Sequence, residues 1–256
     1  MYINFSHLLI RTYLHYLKPV ETMIILIAES KTMLRDEAPV TEEEYITHRP
    51  YFEAEAESYM HSYSHLEVQE VSSMLKCSHS LAVKAIELAR EFPLKSSGLR
   101  ASEAFTGVVF DSFDYTSLSK ESRSYADAHI MIASSLYGLL YLTDIIKPYR
   151  LDYNVTMPDE EKNMAALWKQ KNTIRLVKLL KERGDTEIIN LMPSAASKCF
   201  DWKVIKNFCK VRVPDFRTPS ETGRFQLPHA GLLKRMRGHL LRELVEKRGQ
   251  TIFNTL

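Results

Sequence analysis

Six consecutive apolar residues, Met23 to Ala28, three of them isoleucine, stop at Glu29-Ser30-Lys31-Thr32. An unbroken β-branched run of this length reads as a strand buried on both faces. The polar residues that follow must then leave the strand as a loop, and loops at strand ends carry much of protein function. Further strands are expected at Ala104–Phe110, His129–Ala133, Thr186–Met192, Phe208–Val213 and Arg224–Leu227.

Between them lie helical blocks of unequal length. Residues 41–75 read as mostly helical, with Pro50 at a helix start. Ser78 or Ser80 can cap the next helix, which places Leu81, Ala85, Leu88 and Ala89 on one face and ends at Pro93 and Gly98. Ser117–Asp127 is a polar helical stretch. Asp159–Arg183 opens with acids and closes with Lys178, Lys181, Arg183 and Gly184, an order that suits the helix dipole and a glycine cap. His229–Lys247 is a basic amphipathic helix. Uneven blocks of this kind predict an α+β fold with a mixed sheet rather than a doubly wound parallel one.

With 256 residues, 45% hydrophobic and 26% charged, one domain is expected over residues 23–256. Residues 1–22 read as an extension, a short amphipathic helix, with Met23 as an alternative start. Arg11 interrupts what would be the apolar core of a signal peptide. No apolar run approaches the roughly 20 residues of a membrane helix, so no membrane contact is expected. Cys77, Cys199 and Cys209 form no C-x-x-C pair and suit a reducing, cytoplasmic setting.

The net charge of +2 conceals a division. Residues 1–128 hold 12 Lys/Arg against 19 Asp/Glu, and residues 129–256 hold 22 against 13. Either the halves neutralise each other in space, or the second half presents a basic surface to a polyanion.

No catalytic signature is present: G-x-S-x-G, a paired Cys–His order and a glycine-rich dinucleotide fingerprint are all absent from the sequence. Lys31-Thr32 follows a strand, but without the glycines of a Walker loop no backbone nest can form there; Lys31 is either a solvated lysine or an anion contact. Arg150 can hold a phosphate or carboxylate through two bonds, or pair with Asp144 or Asp152. Tyr137 and Tyr149 can stack on a base or line the core edge. Glu57, His61 and His65 recur every four residues as metal ligands can, although no H-E-x-x-H accompanies them, and exposed helix residues explain the spacing as well. Leu75 to Leu88 loosely matches a helix-hairpin-helix whose turn glycines are missing. Lys234, Arg235, Arg237, His239 and Arg242 make the last helix the best electrostatic candidate for a phosphate backbone, beside an apolar face of Leu233, Met236, Leu240 and Leu244.

Several segments, in order, resemble the YaaA-like peroxide-stress family. They are Met23–Met33, Ala104–Phe110, Ser135–Leu140 with Asp144–Leu151, Leu167-Trp168, Ile189–Leu191 and Lys234–Gly238. The Tyr137-Gly138 to Tyr149-Arg150-Leu151 block is the specific one. The chain departs from the family where Glu29-Ser30 replace Pro-Ala before Lys31, and where Asp152-Tyr153-Asn154 follow Leu151. The resemblance implies an α+β sheet wrapped by helices, a cytoplasmic role in surviving hydrogen peroxide linked to limiting free iron, and binding of double-stranded DNA through a basic cleft. It implies no cofactor, metal or reaction. It carries over Lys31, Tyr137, Tyr149, Arg150, Asn190, Lys234 and Arg237, to which the charge pattern adds Arg235 and Arg242. The competing expectation is an enzyme acting on a phosphorylated or nucleotide-like ligand at Lys31, Arg150 and Arg237; a third is an iron-handling protein using the histidine face. Oligomeric state is left open.

Overall fold

The structure is a computed structural model, which describes residues 22–35, 48–93, 98–220 and 224–248. The extension expected over residues 1–22 therefore lies outside the described residues, Thr22 excepted, as does the helix expected over residues 41–47. In chain order the strands are β1 (Met23–Ala28), β2 (Thr32–Met33), β3 (Leu99–Arg100), β4 (Phe105–Thr106), β5 (Ile130–Ser134), β6 (Gly138–Tyr141), β7 (Ile145–Ile146), β8 (Glu187–Asn190), β9 (Lys210–Arg212), β10 (Thr218–Pro219) and β11 (Phe225–Gln226). The helices are α1 (Glu53–Ser64), α2 (Val68–Leu75), α3 (His79–Glu91), α4 (Ala101–Ala104), α5 (Val108–Phe113), α6 (Lys120–His129), α7 (Met164–Arg183), α8 (Ser194–Ser197), α9 (Trp202–Ile205) and α10 (Ala230–Glu246).

The main sheet has the order β6-β5-β1-β8-β9. Its three inner strands explain the apolar run: β1 lies parallel between β5 and β8, and Met23 to Ile27 are at most 1% exposed. β8 pairs in parallel with β9, while β6 returns antiparallel to β5, so the sheet is mixed and the fold is α+β in one domain. From β1 the chain crosses toward β5; from β8 it crosses the other way, to β9. The strand order thus reverses between β1 and β8, and at such a reversal the carboxyl ends of the strands open into a crevice.

Two helices fix the edges of this crevice. α7 covers β6 through Trp168, whose indole Nε1 donates to the Ser135 carbonyl at 2.8 Å. Gly138, at φ +71°, leaves room for that ring; a Cβ there would meet the Trp168 ring and Asn172 Oδ1 at 2.8 Å. α7 ends at left-handed Gly184, as its basic last turn predicts. Its start differs from expectation. Asp159, Glu160 and Glu161 precede the helix, which begins after Asn163, whose side chain accepts from Ala166 N at 3.0 Å. A side-chain cap at the right backbone angle outweighs diffuse attraction of acids to the dipole.

α10 packs on α5. The segment Ala104–Phe110, expected as one strand, is a two-residue strand followed by this helix. Gly107, at φ +99°, breaks the chain between them. A short apolar run cannot distinguish strand from buried helix by periodicity, and here packing against α10 decides. α3 differs in detail: Ser78 caps it, but its inward face is Ala82, Ala85, Ile86, Leu88 and Ala89, with Leu81 left 43% exposed.

Candidate functional site

Glu29 is the first residue beyond β1, and its backbone N–H still bonds Ala133 O at 2.9 Å, which holds it in line with the strand. Its side chain turns across the end of β5. Glu29 Oε2 accepts from Ser135 N at 2.9 Å and from the Tyr149 hydroxyl. Ser134 braces this arrangement: its hydroxyl lies 2.7 Å from Tyr149 Oη and accepts from Tyr137 N at 2.9 Å. Tyr153 closes the group by donating to Ala133 O at 2.7 Å. Burial raises the Glu29 carboxyl to about 7, against the pull of hydrogen bonds from Ser135, Tyr149 and Ser134. The same burial pushes the Tyr149 and Tyr153 hydroxyls and the Cys199 thiol far up, so they stay neutral beside it.

Cations stand at the rim. Arg150 donates one N–H to the Lys31 carbonyl, and the exposed Lys31 ammonium pairs with Asp152. The structure thus brings Lys31, Tyr149 and Arg150 together. Asn190 closes β8 across the reversal, but its amide is spent on the fold: Oδ1 accepts from Met192 N at 3.0 Å and Nδ2 lies 3.3 Å from Ser197 Oγ. Tyr137 and Tyr149 are buried, with ring centroids 5.6 Å apart, and Tyr137 Oη accepts from Lys147 N at 3.1 Å. These rings support the site from below; they are not poised on the surface to stack.

α10 supplies the second set of cations. Gly238 meets Val109, Ser112 and Phe113 of α5, while Arg242, one turn on, donates to the carbonyls of Phe113 and Asp114, both at 3.0 Å. Arg242 also bonds Ser117 Oγ at 2.9 Å and pairs with Glu246 at 2.8 Å. It is a tether between helices. α5, on which α10 packs, starts just after Gly107. Gly107 in turn abuts the Glu29–Thr32 loop, where an added Cβ would lie 3.0 Å from Ser30 Oγ. Lys234 and Arg235 are exposed and Arg237 half-buried, and none of the three has a hydrogen bond or ion pair among the described residues. Burial lowers the Arg237 pKa.

The two halves neutralise each other only in part. Lys171–Glu55 and Arg242–Asp114 join the basic half to the acidic half, whereas Lys234, Arg235 and Arg237 form no ion pair among the described residues. His61 and His65 are in edge contact, with rings 4.7 Å apart and His65 Nδ1 2.8 Å from His61 O. Among the described residues no three His, Cys, Asp or Glu side chains converge as a metal set. α2 and α3 do form a helical hairpin, whose turn residue Lys76 takes the left-handed conformation at φ +49°. The described residues contain no helix long and apolar enough to cross a membrane.

Glu29 and Tyr153 were legible only as departures from a family pattern. The available signal was the abrupt carboxylate at the end of an otherwise apolar strand.

The fold and its edge define an α+β protein with a mixed sheet, a tyrosine-braced carboxyl at the strand reversal, and a basic helix beside it. The family model for peroxide stress protein YaaA matches residues 23–254, and the chain belongs to that family. Similar proteins include a UPF0246 protein of Bacteroides fragilis, 32% identical over 198 residues (76% of this chain, 75% of the relative). A UPF0246 protein of Parabacteroides distasonis is 29% identical over 76% of each chain. One of Shewanella denitrificans is 28% identical over 229 residues (88% of this chain, 86% of the relative).

Proposed function

We propose that this peroxide-stress protein binds double-stranded DNA through the first half of α10, with Lys31 and Arg150 as flanking contacts, and so limits iron-dependent oxidation of the DNA it covers. One observation carries this reading: Lys234, Arg235 and Arg237 occupy adjoining turns without an internal counter-charge among the described residues, and Arg237 is partly desolvated. A desolvated guanidinium is costly unless an anion compensates it, and its planar fork suits phosphate. Protein cations that neutralise phosphates release the counterions condensed there. Ferrous ions held on the backbone would leave with them, so that the hydroxyl radical formed when hydrogen peroxide oxidises such an ion arises away from the sugar it would attack. This route requires no iron site on the protein.

The test is anisotropy of a labelled duplex across a salt series, with wild type and the Lys234→Glu/Arg235→Glu variant. Both side chains are exposed, so the variant should fold normally. Wild type should lose affinity steeply with salt. The variant should bind at least tenfold more weakly at about 50 mM salt, with a log–log slope shallower by about 2. An unchanged slope would remove α10 from the interface. No binding by wild type at low salt would end the DNA reading.

A further inference from the structure

The carboxylate at the strand reversal is not used by a DNA-backbone contact, since phosphates would repel it. Glu29 uses only one of its oxygens inside the protein: Oε2 takes the bonds from Ser135 N and Tyr149, and Oε1 has no hydrogen bond among the described residues. The residue is largely but not wholly buried, and no lysine or arginine among the described residues forms an ion pair with it. Its rotamer is nonetheless fixed by the Ser134–Tyr149 brace. A carboxyl held rigid at a sheet edge, with one oxygen satisfied and the other open, is an acceptor prepared for a donor from outside. Beside it, Arg150 spends one of its five N–H groups on Lys31 O, and the Lys31 ammonium is 62% exposed despite its pairing with Asp152. Both cations can therefore take a phosphate without dismantling the fold.

We propose that the carboxyl edge of the sheet is a binding site for a small phosphorylated sugar, with a ligand hydroxyl donating to Glu29 Oε1 and the phosphate held by Lys31 and Arg150. The site shares Lys31 and Arg150 with the flank of the proposed DNA surface but none of Lys234, Arg235 and Arg237, so it can fill in the absence of DNA. The position of the carboxyl at the reversal between β1 and β8 agrees with where open sheets bind phosphorylated ligands. Asp152 gates the phosphate side, because its pairing with Lys31 must loosen for the anion to enter.

Calorimetric titration at pH 8, above the Glu29 pKa of about 7, with ribose 5-phosphate, inorganic phosphate and ribose distinguishes the two halves of the site. A hydrogen bond to a charged group is worth about tenfold or more in affinity, so ribose 5-phosphate should bind at least about tenfold tighter than inorganic phosphate. Glu29→Gln keeps the shape of the side chain and an oxygen for Ser135 N while removing the charge; it should bring the two affinities together and leave that for inorganic phosphate unchanged. Lys31→Ala, at an exposed position, should weaken both phosphorylated probes by a similar factor. Lys234→Glu/Arg235→Glu should affect neither, which keeps this site distinguishable from the DNA surface. The proposal is overturned if wild type binds neither phosphorylated probe at millimolar concentration, binds both equally, or retains its preference for the sugar phosphate in Glu29→Gln.

Discussion

Gly238→Ala should lower stability by about 3 kcal/mol, at the upper end of what overpacking usually costs. In a chain of this size that is a fall in melting temperature of roughly 10 °C. An added methyl at Gly238 would press on the Val109 carbonyl and come within 2.5 Å of Ser112 Cβ and 3.2 Å of Phe113 N. Two of these atoms belong to the backbone of α5, so no side-chain rotation relieves the contact. Relief requires α10 to move away, which would also stretch the Arg242 bonds to Phe113 and Asp114. DNA affinity should fall with it, because Lys234, Arg235 and Arg237 ride on the same helix. Thermal unfolding followed by circular dichroism provides the check. A melting temperature within a degree of wild type would mean that α10 does not seat on α5 at this glycine.

Wild type should be more stable near pH 5 than near pH 8. Two carboxyls drive this, Glu29 and Asp144, each raised by burial to about 7 from 4.5 and 3.8 respectively. Asp144 is 1% exposed; its Oδ2 accepts from Tyr141 N at 2.9 Å, and its Oδ1 has no hydrogen bond partner among the described residues. Between the unfolded and folded pKa values the native state holds more protons than the unfolded chain, so stability falls as pH rises and levels off above about 7. A shift of this size is worth on the order of 3 kcal/mol for Glu29. The groups facing Glu29, namely Tyr149, Tyr153 and Cys199, are pushed too high to titrate in this window. Asp201 and Glu121 have lowered pKa values and act at more acid pH, whereas His129, lowered by burial, opposes the trend at the acid end of the window. Urea unfolding at pH 5, 6, 7 and 8 should show a flatter profile in Glu29→Gln and again in Asp144→Asn, with both variants gaining on wild type at pH 8. Parallel profiles for all three proteins would show that neither carboxyl is held neutral by burial.

The two predictions draw on different levels of information. Met23–Ala28 announces a central strand by composition alone, because only a position covered on both faces tolerates six apolar side chains in succession. Ser78, Gly184 and the apolar stripe of α10 were legible for similar local reasons: a cap or a helix face is written in residues a few positions apart. The block from Tyr137 to Arg150 and the basic α10 also marked the two candidate surfaces, since residue type alone limits which groups can meet an anion.

Their roles were decided over long distances in sequence. Glu29 and Tyr149 are 120 positions apart, Lys31 and Asp152 are 121, and Arg242 reaches Phe113 across 129. Periodicity carries no information about such pairs. Sequence therefore determined that this chain builds a buried strand ending in polar residues and closes with a cationic amphipathic helix. Tertiary structure alone decided that Arg242 is a tether while Lys234 and Arg235 stay unpaired among the described residues, and that an acid at the end of β1 becomes a braced, largely buried carboxyl. The reason is physical: whether a charge binds a ligand or holds the fold depends on what faces it and how much water it keeps, and both are set only when distant segments pack.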